Sequence, residues 1–253
     1  MDASTETRVA LVTGASRGIG RATALALAAE GVHVVALART QGGLEDLDDA
    51  IRAIRPGAES SATLVPCDIK DYAAIDRLGE ALFRRWGRLD ILVGNAGALG
   101  PLSPLHHVDP KQWDDVIGVN VTANWRLIRA LDPLLRRSQA GRVVFVTSGA
   151  ASRAELRAYW GPYAVSKAAL DALARTYAAE TATTSAVRVM LLNPGPLRTR
   201  MRAAAMPGED PLTLRTPEDI APKIVALCSP EWRETGKLYD FPSDKVLSFS
   251  APC

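Results

Sequence analysis

The sequence predicts one doubly wound α/β domain, in which a mostly parallel sheet of about seven strands carries helices on both faces. Three observations lead to this prediction. Short continuous apolar runs recur along the chain, and such runs are typical of parallel strands buried on both sides. They alternate with Ala- and Leu-rich helical segments. The 253 residues suit one large domain, and neither a linker nor an internal repeat divides them.

The apolar runs and the helical segments define the predicted elements. Strands are expected at 9–12, 32–37, 63–67, 89–93, 142–147, 187–192 and 237–240. Helices are expected at 19–30, 42–54, 72–86, 110–137, 164–176 and 217–228, the long fourth helix being open to a kink near Pro133. We expect flexible ends at 1–7 and 244–253, and a functional loop in the long irregular stretch 194–216.

The composition argues against several classes of protein. Hydrophobic residues make up 47% of the chain, and the net charge of +2 creates no strong field for nucleic acid or an anionic membrane. The first eight residues are polar and contain acids, unlike a secretion signal or a transit peptide. No apolar run reaches the roughly 18 residues of a membrane span. We therefore expect a cytoplasmic protein that binds neither nucleic acid nor membrane.

The cysteines and histidines do not have the spacing of a metal site. The three cysteines are far apart in the sequence, and their odd number fits reduced thiols in the cytoplasm. His33 falls in a predicted strand, whereas His106 and His107 lie in a Pro-rich loop. No metal site is expected.

Three glycines lie between the first strand and the first helix, in the segment Thr13-Gly14-Ala15-Ser16-Arg17-Gly18-Ile19-Gly20. Glycine lets the backbone turn tightly, and the free N–H groups of a helix N-terminus attract phosphate. The segment could also be a plain strand-to-helix turn rich in small residues. Its place in the first strand–helix–strand unit favours a phosphate-binding loop.

The end of the second strand carries an arginine at a point where an acid would hold a ribose 2′-hydroxyl. The residue is Arg39, and Arg17 lies in the Gly-rich segment. Two guanidinium groups near the adenosine ribose suit a 2′-phosphate. Alternatively, both are surface arginines of an Arg-rich chain. The favoured interpretation is a preference for NADP(H) over NAD(H).

The remaining strand ends also carry small, polar or turn residues. Asp68 follows the third strand and could accept a hydrogen bond from an adenine amino group. Small residues at 94–97 would admit a flat ligand, the fifth strand ends next to Ser148, and the sixth leads into the turn-rich stretch 193–199. Because ligands of such sheets bind at the carboxyl ends of the strands, these residues are predicted to share one site.

Tyr163 and Lys167 are four residues apart in an Ala-rich segment that is predicted to be helical. Residues at i and i+4 share a helix face, so the phenol and the ammonium should emerge side by side. A neighbouring cation favours the phenolate, and the pKa of Tyr163 should therefore fall. A phenol tuned in this way can exchange a proton with an alcohol or a carbonyl. By itself this spacing is weak evidence, because a tyrosine and a lysine four residues apart often lie on solvated helix faces.

With these motifs the chain resembles the short-chain dehydrogenase/reductase family, in the branch with T-G-x-x-x-G-x-G and Y-x-x-x-K. The match runs from about residue 8 to residue 240, with the motifs in the expected order. The resemblance implies a single Rossmann-type domain over 1–253 that both binds a dinucleotide and catalyses. Its implied cofactor contacts are Gly14, Ser16, Arg17, Gly18, Ile19, Gly20, Arg39, Asp68, Ile69, Asn95, Ala96, Gly97, Tyr163, Lys167, Pro194, Gly195 and Thr199.

The resemblance also implies a catalytic tetrad. Tyr163 would be the general acid/base, and Lys167 would lower its pKa and hold the nicotinamide ribose. Ser148 would hydrogen-bond the substrate oxygen, and Asn120 would hold a water of the proton relay. The family often has two asparagines where this chain has Gly94-Asn95, a departure expected to alter a strand contact more than the chemistry.

The resulting hypothesis is an NADP(H)-dependent oxidoreductase that moves a hydride between nicotinamide and a carbonyl or secondary alcohol. Substrate contacts are expected from Ser148, Ala150, Trp160 and Tyr163. The alternative is a non-catalytic NADP(H)-sensing protein, which would not need all four residues of the tetrad. Family members commonly pair two long helices across a two-fold axis, here 109–137 and 162–181, so a homodimer or homotetramer is expected.

Overall fold

In the computed structural model, which describes residues 7–56, 62–152 and 157–249, eight strands form one sheet. The strands are β1 (Val9–Thr13), β2 (His33–Ala38), β3 (Ala62–Pro66), β4 (Ile91–Gly94), β5 (Arg142–Val146), β6 (Arg188–Asn193), β7 (Lys237–Asp240) and β8 (Lys245–Leu247). Their order is β3-β2-β1-β4-β5-β6-β7-β8. Strands β1 to β7 are parallel, and β8 is antiparallel to β7. The predicted fold class is confirmed.

The helices cover both faces of this sheet. They are α1 (Gly18–Ala29), α2 (Gln41–Ile54), α3 (Tyr72–Trp86), α4 (Pro110–Ile117), α5 (Ala123–Leu135), α6 (Gly149–Ser152), α7 (Gly161–Ala182), α8 (Arg200–Ala205) and α9 (Pro217–Leu227). Local sequence explains several ends. The side chain of Asp71 accepts a hydrogen bond from Ala74 N at the start of α3, and Gly87 ends that helix at φ +68°. Pro217 is the first residue of α9.

Two apolar clusters, one on each face of the sheet, form the core. One cluster joins alternate strand residues such as Ala10 and Val12 to α1, α2 and α9. The other joins Val9 and Leu11 to α3, α5 and α7. Both faces of β1 are therefore buried, which explains why its sequence is continuously apolar.

The long fourth helix of the prediction is divided at a point that the sequence analysis did not anticipate. α4 and α5 are separated by a π-helical turn, Gly118–Thr122, in which Ala123 N donates to Gly118 O. Pro133 lies inside α5 close to its end and does not divide the helix. The kink near Pro133 stays a prediction, and the division of the long helix lies around Asn120.

The C-terminal part contains structure that was not predicted. The short helices α6 and α8 occupy stretches that were expected to be loops. In the stretch 244–253, expected to be a flexible end, Lys245–Leu247 pairs with β7 as an eighth strand. Lys223 Nζ also lies 2.9 Å from Asp244 Oδ1 and links α9 to the turn before β8. Among the described residues, no helix combines the length and the apolar character needed to span a membrane.

Candidate active site

The loops after β1 and β4 meet at the point where the strand order reverses, between the neighbouring strands β1 and β4. The hydroxyl of Thr13 accepts hydrogen bonds from Asn95 N and Ala96 N, both at 3.0 Å. Asn95 Nδ2 donates to Thr13 O at 2.8 Å. The crevice between diverging crossovers is where doubly wound sheets bind ligands. Thr13, which was not among the predicted site residues, therefore fixes the edge of this crevice.

The Gly-rich turn needs its glycines for two physical reasons. Gly14 and Gly18 have φ of +67° and +55°, a region that L side chains rarely adopt. At Gly20, an added Cβ would lie only 2.3 Å from Gly14 O. The turn, which includes Ser16, leads into α1. This helix begins at Gly18, and Ile19 is its second residue. The N-terminus of α1 consequently presents N–H groups at the carboxyl end of β1, a suitable geometry for phosphate.

The predicted 2′-phosphate residues lie at the surface. Arg17 and Arg39 are both exposed, and neither forms an ion pair with another residue in the described ranges. Cys67 N donates to Ala38 O at 2.9 Å, which places the segment after β3 next to the end of β2. In that segment Asp68 is half-buried and accepts from Lys70 N, and Ile69 is buried. Arg39, Asp68 and Ile69 therefore border the crevice on the side of β2 and β3.

Tyr163 and Lys167 lie in α7 as the sequence predicts, and both are buried, at 8% and 4% exposure. Lys167 Nζ is 5.8 Å from the centre of the Tyr163 ring and donates to Val146 O at 2.8 Å. The Tyr163 hydroxyl lies beside the half-buried Ser148, which follows β5. A Cβ placed on Gly97 would lie 3.7 Å from Lys167 Nζ, so the loop after β4 reaches the same point.

The pKa of Tyr163 does not move in the predicted direction within the protein's own environment. Burial raises its pKa above the ordinary value, and the Ser148 hydroxyl acts in the opposite direction. Burial also lowers the pKa of Lys167 to about 8. The helical spacing placed the two groups correctly, but it carries no information on the desolvation that dominates here. At neutral pH the phenol is therefore protonated.

Asn120 lies in the π-helical turn and is completely buried. Its amide exchanges hydrogen bonds with the main chain of Ala98, at 2.8 and 2.9 Å, and donates to Ser166 Oγ at 2.8 Å. Asn124 Nδ2 donates to Asn120 O at 2.8 Å, and this bond satisfies a carbonyl within the turn. Asn120 thus joins the loop after β4 to α7. The water that it would hold remains a prediction.

The loop after β6 closes the other side of the site. Asn193 Oδ1 accepts from Gly149 N at 2.8 Å and from Gly195 N at 3.1 Å, and so it connects the loops after β5 and β6. Pro194 is half-buried between them. Thr199 begins α8 by accepting from Arg202 N. Its Cγ2 lies 3.7 Å from the position of a Cβ on Gly18.

The predicted substrate residues lie around Tyr163. The rings of Trp160 and Tyr163 meet edge to face with centres 5.9 Å apart, and Ala150 N donates to Ser148 Oγ at 3.2 Å.

A cavity of about 440 Å³ lies in the 194–216 region, and Thr199, Arg202, Met206 and Glu209 are among its lining residues. In the lining of this cavity, the Arg202 guanidinium donates two hydrogen bonds to the Glu209 carboxylate, at 2.5 and 2.6 Å. This bidentate ion pair links α8 to the loop that follows it.

The departure at Gly94 has a steric cause. A Cβ at this position would lie 2.4 Å from the Phe145 ring and 2.7 Å from Asn124 Oδ1. An asparagine side chain could fit there only if Phe145, on the neighbouring strand β5, moved. In the described ranges, no three His, Cys, Asp or Glu residues come together in a way that could hold a metal ion.

These features are those of the short chain dehydrogenases, whose family model matches residues 8–210. The chain belongs to this family of oxidoreductases. The oxidoreductase YciK of Escherichia coli K12 is 38% identical over 234 residues, which cover 92% of this chain and 91% of YciK. A NAD-dependent oxidoreductase of Mycobacterium tuberculosis is 42% identical over 185 residues, 68% of this chain and 66% of that protein. A short chain dehydrogenase of E. coli CFT073, complexed with NADPH, has a TM-score of 0.84 at 38% identity, covering 92% of this chain and 95% of that one.

Proposed function

We propose that this oxidoreductase is NADP(H)-dependent and interconverts a carbonyl compound and a secondary alcohol, with Tyr163 as the general acid/base. One observation carries the proposal. A buried phenol, a serine hydroxyl and a buried ammonium meet where the loop after β4 approaches α7. A substrate oxygen at this point would contact both hydroxyl groups.

The residues around the crevice fit a dinucleotide. A pyrophosphate would lie at the N-terminus of α1, where a Cβ added to Gly18 would have no neighbour closer than 3.7 Å, and at Gly97 an added Cβ would likewise meet its neighbours only at van der Waals distance. Thr199 and the Gly18 turn approach each other from opposite sides. When bound, the nicotinamide supplies or accepts the hydride. Lys167 would hold its ribose, and the loops after β4 and β6 would hold the nicotinamide end.

Two arginines support the preference for NADP(H). Arg17 and Arg39 are exposed at the edge of the crevice, and no carboxylate of the described residues engages either guanidinium in an ion pair. A 2′-phosphate would accept charge-assisted bonds from both. The structural relative solved with NADPH agrees with this preference. The NAD-dependent relative does not, so the preference must be measured in this chain.

The protonation states suit reduction of a carbonyl. Tyr163 is protonated at neutral pH, because burial raises its pKa, and it can give its proton to the carbonyl oxygen. Ser148 can donate a second hydrogen bond to that oxygen. The ammonium of Lys167 would then stabilise the phenolate that remains. The burial of both groups keeps competing water away from the proton transfer.

The test is NADPH oxidation with a panel of ketones, quinones and 3-oxoacyl thioesters. We expect the wild type to turn over at least one class and Tyr163→Phe to lose about 10²–10⁴-fold in kcat, since the variant lacks only the proton donor. NADPH affinity should stay within about threefold, because the ring remains. A variant that keeps more than a tenth of the activity would remove Tyr163 from the mechanism. Tight NADPH binding without turnover on any substrate would favour the sensing protein instead.

We also propose a homodimer or homotetramer that assembles through α5 and α7. Trp125 on α5 and Val165 on α7 are large apolar residues, each 44% exposed. Paired helices of a second copy would cover both side chains.

A further inference from the structure

Three residues of α7 form a stripe, because Tyr163, Lys167 and Asp171 are each four residues apart. All three are buried, at 8%, 4% and 6% exposure. The mechanism proposed above uses the first two and leaves the third without a role. A buried carboxylate needs partners, so its contacts are informative.

The stripe contacts consecutive residues at the end of β5. Lys167 Nζ donates to Val146 O at 2.8 Å. Thr147 Oγ1 donates a hydrogen bond to Asp171 Oδ1. The next residue in the chain is Ser148, beside the Tyr163 hydroxyl. The segment that carries the serine is thus held by α7 through the ammonium and through the carboxylate.

The charge on Asp171 has few partners. On its own helix Lys167 lies one turn before it, and Arg175, an exposed residue, lies one turn after it. From β5 the Thr147 hydroxyl faces it. In the part of the chain that the structure describes, no further charged side chain acts on it from the elements packed against α7. Asp171 is therefore the acid that acts on the Lys167 charge.

We propose that Asp171 is a positioning residue for the reaction: its carboxylate holds the Thr147 hydroxyl and lies one helical turn from the Lys167 ammonium, so that α7 and the Ser148 end of β5 stay aligned. The inference rests on the proposed function, since the reaction is what Lys167 and Ser148 serve.

The electrostatics agree with this geometry. Burial raises the pKa of Asp171 to about 6, although Thr147 and Lys167 both act to lower it. Burial lowers the pKa of Lys167 to about 8, and Asp171 is the group that opposes this shift. Removing the carboxylate should lower the pKa of Lys167 further, by about one unit, which is the lower end of the effect of a nearby opposite charge. The lysine would then be largely neutral at pH 8, and Tyr163 would lose the cation that stabilises its phenolate.

The first test measures Lys167 directly and does not depend on turnover. The sequence has six lysines, so protein labelled with ¹³C at lysine Cε gives a short list of NMR titration curves. The Lys167 curve is assigned by its loss in Lys167→Arg. We expect a midpoint near 8 in the wild type and a midpoint about one unit lower in Asp171→Asn, which removes the charge but keeps an acceptor for Thr147. A midpoint that does not move would overturn the proposal.

The second test follows the pH dependence of alcohol oxidation, in which Tyr163 must be deprotonated. Asp171→Asn should move the acid limb of kcat up by about one pH unit, which is a tenfold loss on that limb, while KM changes little. Thr147→Val should move it in the same direction by less, because loss of the donor raises the pKa of Asp171 and neutralises part of the carboxylate.

Glu180→Gln is the matched control, since it removes one exposed carboxylate from the same helix. Its pH profile should superimpose on that of the wild type. A merely structural role of Asp171 would lower activity equally at every pH, and that result would also overturn the proposal. If the wild type turned over no substrate of the panel, the proposed function would fail, whereas an unmoved Lys167 midpoint would refute this inference alone.

Discussion

Replacing Arg39 by aspartate is the most direct test of the cofactor preference. The residue lies immediately after β2, exposed, with no carboxylate of the described residues in an ion pair with it. Its guanidinium can therefore turn toward a 2′-phosphate without breaking an ion pair to a described residue. The aspartate would instead repel that phosphate, and it could accept a hydrogen bond from the 2′-hydroxyl of NADH.

The exposure of Arg39 sets the size of the effect. Two unit charges about 4 Å apart in water interact by about 1 kcal/mol, and a phosphate monoester carries about −1.5 to −2 charges. Loss of the attraction thus costs about 1.5–2 kcal/mol in binding free energy. Reversal of the charge adds a repulsion of similar size, for a total of about 3–4 kcal/mol. We expect Arg39→Asp to weaken NADPH binding by about 10²–10³-fold and Arg39→Gln by about 10–30-fold.

The assay is a titration of each cofactor followed by nicotinamide fluorescence, at low and at high salt. NADH affinity should rise or stay unchanged in both variants, because NADH lacks the phosphate. Added salt should weaken NADPH binding in the wild type more than in Arg39→Gln. Arg233→Asp serves as the control, since it makes the same charge change at an exposed site near Arg142, the first residue of β5 and thus at the opposite end of the sheet.

If the wild-type protein bound NADH as tightly as NADPH, or if Arg39→Asp weakened the binding of both cofactors equally, the Arg39 guanidinium would not contact the 2′-phosphate. An equal loss in the Arg233 control would indicate a general field effect instead of a contact.

Three further predictions can be tested on the purified protein. Gly20→Ala should abolish NADPH binding in a fluorescence titration, because its Cβ would lie 2.3 Å from Gly14 O; retained affinity would contradict the role of this turn. Light scattering should show a dimer or tetramer at micromolar concentration, and Trp125→Glu should shift it toward monomer. The raised pKa of Asp171 means that the folded state binds its proton more tightly than the unfolded state does. The free energy of unfolding should therefore fall by up to a few kcal/mol as the pH rises from about 4 to about 6, and this loss should be smaller in Asp171→Asn.

The sequence patterns predicted the sheet well, and the residues that they singled out lie near one another in the fold, for a physical reason. Apolar runs report burial, and glycines report the positions at which a turn leaves no room for a side chain. Tyr163 and Lys167 share a helix face because their spacing requires it. These signals depend on residues that are close together in the chain.

The features that were missed depend on residues far apart in the chain. The π-helical turn carries Asn120, whose amide bonds to Ala98 and Ser166, both distant in the sequence. The raised pKa of Tyr163 follows from burial by several elements. Asn193, which connects three strand ends through Gly149, Gly195 and Asp240, gave a weak signal as a polar residue at the end of an apolar run. Asp171 gave a different weak signal, a polar residue on a buried helix face.

The eighth strand has a consequence for how the molecule behaves at high concentration. A parallel sheet that ended at β7 would expose a row of main-chain donors and acceptors, and another chain could pair with them. β8 covers that row along Leu238, Tyr239 and Asp240, and it is itself only three residues long and carries Lys245. At the other edge, β3 ends in Pro66, which has no N–H to donate. Both edges therefore discourage the sheet-to-sheet pairing that leads to aggregation, and ordered association is left to the helical surfaces.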